Sequence, residues 1–161
     1  FLLSCGNDAA TSQASGDANS REHFPEEPND GLTPGAKCAA PDYLRHPERI
    51  AFCERDVSTE TKQQIIRTYD RKLGYHIGDM ERSDFKIDHL IPLCIGGSNK
   101  VANLWPQHKS VYTHTDPIEH KLCELLGAAK IHQKVAIRII VTVKHDVGSA
   151  ERVLSELQQQ Y

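Results

Sequence analysis

DHLIPLCIGGSNKVANLWPQ, residues 88–107, places an acid, a histidine, paired glycines and two asparagines between short apolar runs. From Phe85 to Leu93 the apolar residues follow no helical period and meet Pro92, which predicts a strand ending there. Gly96-Gly97-Ser98-Asn99 predicts a tight turn, and Val101–Trp105 a second short strand completing a hairpin. Side chains alternate along a strand, so Asp88 and His89 leave it on opposite faces. Both serve one site only at a strand end or bulge, a distortion that Pro92 and the glycine pair favour.

Outward from this segment the pattern turns helical. Thr115 or Asp116 opens a helix with Pro117 in its first turn, where a missing N–H costs nothing. Asp116 and Glu119, three residues apart, then share one face. Helices are expected near 117–127, 131–143 and 148–160. Upstream, Ser58 caps a helix over 59–73, in which Ile65, Ile66, Tyr69 and Leu73 recur at helical spacing and Gly74 is the stop. Tyr75 to Asp84 reads as a polar connection, and Cys38 to Cys53 as an irregular segment with a short helix over 47–52. The expected fold class is α+β: a two-stranded hairpin and helix surrounded by further helices and stapled by disulfides.

The reactive side chains concentrate at Asp88, His89, Asn103, His108, His114, Asp116, Glu119 and His120. In order and spacing, Asp88-His89, Ile91-Pro92-Leu93, Gly96-Gly97, Asn99 and Asn103-Leu104 resemble the signature of the HNH, or His-Me finger, endonucleases. The NLWPQ ending and the following Thr-Asp-Pro-Ile-Glu segment are similar to small secreted bacterial proteins carrying that domain. The likeness spans roughly 69–126 and is strongest over 88–107. It implies a ββα-metal finger and a metal-dependent endonuclease hydrolysing phosphodiester bonds in DNA, with RNA the second candidate substrate, at low sequence specificity. His89 would be the general base, since a neutral imidazole with a pKa of about 6.5 takes a proton from water near neutral pH. Asn103 would hold the base in orientation. Asp88 would be the first ligand of one divalent cation, Mg2+ or Mn2+ from its oxygen donors, with Zn2+ or Ni2+ if a histidine joins.

The match departs from the family's commonest pattern at Tyr112, which stands where a helix His or Asn is expected; Glu119, then Asp116, are the replacement ligands, ahead of His108 and His114. Arg82, Lys86 and Lys109 flank the motif as phosphate contacts. Each residue has a plainer reading. A lone histidine is usually a core residue bonded to a carbonyl, Asp116 caps a helix, and Glu119 and the flanking cations are solvated charges. His108, His114, His120, His132 and His145 read as surface residues, and Trp105 as core rather than a base-stacking platform. The competing functional class is a lipid-anchored binding or structural module whose degenerate HNH fold no longer cuts.

Phe1-Leu2-Leu3-Ser4-Cys5-Gly6 resembles the end of a signal peptide running into a bacterial lipobox, so residues 1–5 are read as export signal and Cys5 as a lipidation site. Such an anchor, at about 0.8 kcal/mol per buried CH2, would be the chain's only link to a membrane. Residues 6–35 are polar and acidic and read as a disordered spacer, leaving 36–161 as the domain and 85–127 as its motif core. Residues 1–35 carry a net −5, so the whole chain's −3 leaves +2 on the domain, a weak attraction for polyanions. Export puts the chain in an oxidising compartment, where Cys38, Cys53, Cys94 and Cys123 pair. The preferred pairs are Cys38 with Cys53, a short loop, and Cys94 with Cys123, which pins the hairpin to a helix. A four-cysteine zinc site is disfavoured because no two of them are closely spaced. The expected form is a monomer with a nucleic-acid substrate and no small-molecule cofactor.

Overall fold

A computed structural model describes residues 23–45 and 49–161. It is α+β, with two small antiparallel pairs and four helices. Strands β1 (Tyr43–Arg45) and β2 (Ile50–Phe52) form one pair. Helix α1 (Thr59–Leu73) follows, then β3 (Phe85–His89) paired with β4 (Leu104–His108), then α2 (Lys109–Gly127), α3 (Gln133–His145) and α4 (Ala150–Gln160).

The bounds of α1 are those its caps dictate. Ser58 accepts a hydrogen bond from the Thr61 amide at 3.1 Å, and Gly74 closes the helix at φ 76° with its amide on the Asp70 carbonyl. Ile65 and Tyr69 on its inner face join Phe85, Ile87, Leu104, Trp105 and Val111 in one apolar cluster. A second cluster is built by the helical half, from Ile118, Leu122 and Leu126 of α2, Ala136, Ile140 and Val143 of α3 and Leu157 of α4, reaching Ile91 and Ile95 of the loop after β3.

Both disulfides form as paired above, Cys38–Cys53 and Cys94–Cys123. The second ties a one-turn helix after β3 to the middle of α2. Arg45 reinforces that junction, donating to the Cys94 and Cys123 carbonyls.

Several expectations are corrected. Ile50–Phe52 is a strand rather than a short helix, because Tyr43–Arg45 supplies a partner ladder; Pro47 lies outside the described residues. β3 ends at His89, and β4 starts at Leu104 rather than Val101, so the connection is a long loop in place of a tight turn. Gly96, at φ 91°, and Gly97, whose added Cβ would collide with the Ile91 carbonyl, let that loop fold back on itself. Helix α2 begins at Lys109, with the His108 side chain accepting from the Ser110 amide, and it runs through Pro117 as an interior residue. Proline forfeits one hydrogen bond there, while the burial of Val111, Thr115, Ile118 and Leu122 continues along the same face. The proposed spacer is shorter than its composition suggests. Phe24 stacks on His108 at 3.8 Å, and Thr33, fully buried, bonds Tyr69 at 2.8 Å and the Leu104 carbonyl at 3.0 Å, so residues from His23 onward belong to the domain. Residues 1–22, including Cys5, are outside the described part. No helix among the described residues is long and apolar enough to cross a membrane.

Candidate active site

The β3–β4 ladder runs unbroken from Phe85 opposite His108 to His89 opposite Leu104. No bulge interrupts it, so Asp88 and His89 go to different surroundings, as strand alternation requires.

His89 is the last residue of β3 and its side chain meets the loop that follows. The ring Nε2 lies 3.0 Å from Asn99 Oδ1, and the Asn99 amide nitrogen donates to the Glu54 carbonyl at 2.6 Å. That second bond fixes which end of Asn99 faces the ring, so Nε2 donates and Nδ1 carries the free lone pair. Among the described residues, the buried side-chain polar atoms without a partner are Trp105 Nε1 and Gln107 Oε1. His89, only 3% exposed, is not among them, and no protein group bonds its Nδ1. Burial holds the His89 pKa below its ordinary value; the Asn99 bond works against this and the Arg55 charge adds to it. The imidazole is therefore neutral at neutral pH. Arg55 stands on the exposed stretch after Cys53 and donates to the Ile87 carbonyl at 3.1 Å.

Asp88 faces the helices. Its Oδ2 is 2.6 Å from Nζ of Lys144, a fully buried residue of α3. The same ammonium donates to the His89 carbonyl at 2.6 Å and to Glu119 Oε2, on α2, at 3.3 Å. Lys86 completes the cluster, 3.5 Å from Asp88 Oδ1 and 2.6 Å from Asp116 Oδ1, with its ammonium over the Tyr112 ring. Burial opposes the charge of Asp88, but Lys144 and then Lys86 hold its pKa below the ordinary carboxylate value. Burial raises Glu119, and Lys144 offsets this only in part. Burial also opposes the charge on Lys144, yet Asp88 and Glu119 together keep its pKa above that of a free lysine.

The expected ligands Asp88, Glu119 and Asp116 are thus brought together, around two ammonium groups. An ammonium with three oxygens in hydrogen-bonding range has used all its hydrogens, and a divalent ion at that point would meet a like charge. Among the described residues no group of three or more His, Cys, Asp or Glu side chains is placed to hold a metal. As arranged, the donor set does not fit a divalent ion between Asp88 and Glu119.

Asn103 is fully buried, but it does not touch His89. Its carbonyl accepts from the Ala36 and Ile91 amides and its NH2 donates to the Ile91 and Ser98 carbonyls, so it staples the loop while Asn99 holds the base. His108 caps α2 and stacks on Phe24. His114, His120 and His132 are exposed, and His145 bonds Asp30 at 3.0 Å. Of the flanking cations, Lys109 pairs with Asp84 at 2.8 Å and Arg82 donates to the Phe85 carbonyl, so both are engaged within the protein. Trp105 is core, with no exposed surface.

Two residues of the site have no place in the sequence motif, Arg55 and Lys144, and Asn99 is in the motif without the role it has here. Lys144 left one trace, as the charged member of the otherwise apolar buried positions Ala136, Ile140 and Val143 on α3. No family model matches the chain, and no curated protein or solved structure matches it either.

Proposed function

We propose that this chain is a phosphodiester hydrolase acting on nucleic acid with little sequence preference, with His89 as general base and DNA and RNA as the substrates to try. The observation that carries the reading is His89 itself: a neutral imidazole on a strand–strand–helix unit, one nitrogen held by Asn99, the other with no protein partner. An attacking water gives its proton to Nδ1 as its oxygen bonds phosphorus, and the departing oxygen takes a proton from solvent as its bond to phosphorus breaks. Arg55, exposed and with one donor on the Ile87 carbonyl, keeps guanidinium hydrogens for the phosphate on that side. No step runs through a metal at Asp88 and Glu119. The two disulfides are compatible with export to an oxidising compartment.

The test is cleavage of plasmid DNA and of RNA by the wild type and His89→Ala, with Mg2+, Mn2+, Ni2+, Zn2+ or EDTA. The expected result is cutting that falls in the variant by about 10²- to 10⁴-fold, the usual worth of a positioned base. Intact substrates with folded wild type would support the other reading, a non-cutting binding module, which the neutralised Asp88–Glu119 pair favours.

A further inference from the structure

We propose that Lys144 is a built-in cation, its ammonium filling the place between Asp88 and Glu119 where a divalent ion would otherwise sit. The two carboxylates come from separate elements, β3 and α2, and converge on a third, α3, at 2.6 and 3.3 Å from a single nitrogen. Asp88 is 6% exposed and Lys144 0%, so neither is an incidental surface charge. A buried carboxylate such as Asp88, with Glu119 partly exposed beside it, must be neutralised by something, and candidates are protons, a metal or a side-chain cation. Lys144 supplies the last of these with complete valence: Asp88 Oδ2, the His89 carbonyl and Glu119 Oε2 take its three hydrogens. The remaining Asp88 oxygen faces Lys86 at 3.5 Å, so each oxygen of that carboxylate already has an ammonium beside it.

The third bond ties this charge to the base. Lys144 holds the main-chain oxygen of the residue whose side chain is the proposed general base, so it fixes the end of β3 as well as balancing Asp88. Lys144 is therefore a positioning residue, since it is buried and reaches no substrate. That cutting needs no divalent ion at these carboxylates rests on the hydrolase reading; the charge assignment does not.

The test reads metal binding without any substrate. Mn2+ is titrated into the full chain and the free ion followed by electron paramagnetic resonance, for the wild type, Asp88→Asn, Lys144→Ala and the Lys144→Ala/Asp88→Asn double variant. The expected result is no Mn2+ binding by the wild type that Asp88→Asn alters, and a new site in Lys144→Ala that the double variant loses. Mn2+ bound by the wild type and released by Asp88→Asn would overturn the proposal, as would a folded Lys144→Ala that binds none. Should Lys144→Ala fail to fold, the wild type against Asp88→Asn decides alone: equal Mn2+ traces support the assignment, and a loss in the variant refutes it. An inactive protein that gives the expected titration would sink the hydrolase reading and leave this one standing.

Discussion

Two adjacent residues of one strand live in opposite conditions. Asp88 is enclosed by α2 and α3, with an ammonium beside each carboxylate oxygen and each ammonium shared with another acid, Glu119 or Asp116. His89 projects to a loop, with one ring nitrogen fixed and the other unclaimed by protein. The first arrangement is saturated, which is what stability requires of buried charge. The second keeps an unused lone pair on a neutral ring, which is what proton transfer requires. Proximity in sequence therefore does not make these two one site. The unbroken β3–β4 register separates them, and Lys144 bonds the His89 side only at the main chain, while weak charge interactions still reach the ring from Asp88 and Lys144.

Substitutions should separate the two sides by what they damage. The largest stability effect is expected from Lys144→Met, which takes from the buried Asp88 its nearest cation and from the partly exposed Glu119 its partner; a loss of about 3–5 kcal/mol in urea unfolding is expected. A loss under about 1 kcal/mol would mean that the cluster is more solvated than its geometry implies. Next come the two asparagines. Asn103→Ala removes four hydrogen bonds to buried loop backbone, so stability should fall by about 3 kcal/mol and activity only through the loop. Asn99→Ala removes the imidazole's partner at the solvent-facing end of the loop, so unfolding should shift by about 1 kcal/mol or less. Cutting by that variant should fall by about 10- to 100-fold, the range seen when a histidine loses the group that orients it. Reversed outcomes for the pair would return Asn103 to the role first expected of it.

What was legible in the sequence was local. Ser58, Gly74 and the spacing of Ile65 and Tyr69 bound α1 because a helix carries its caps and its periodicity within itself. Asp88-His89 with the glycine pair and two asparagines marked the place where the reactive groups gather, and the cysteine spacings matched the bridges formed. Contacts between distant segments were not legible. Nothing near Lys144 announces that it reaches Asp88 across 56 positions. The start of α2 was misplaced because Pro117 imitates a first-turn proline, whereas the burial of Val111 and Thr115 carries the helix back to Lys109. The start of β4 shifted because a short apolar run does not reveal its own register; pairing with β3 does. The acidic stretch after His23 read as spacer because its few anchors, Phe24, Leu32 and Thr33, are sparse in sequence yet dock on one side of the fold.

The central claim is that the two sides divide the work, Asp88 with Lys144 as a neutralised charge cluster and His89 as the base whose Nδ1 no protein group takes. Its most direct test is plasmid cleavage in excess EDTA by the wild type and by His89→Ala, both shown folded by circular dichroism. The account predicts that the wild type still cuts without divalent ions and that the variant is slower by about 10²- to 10⁴-fold. Wild-type cutting that stops in EDTA and returns with Mg2+ or Mn2+ would contradict it.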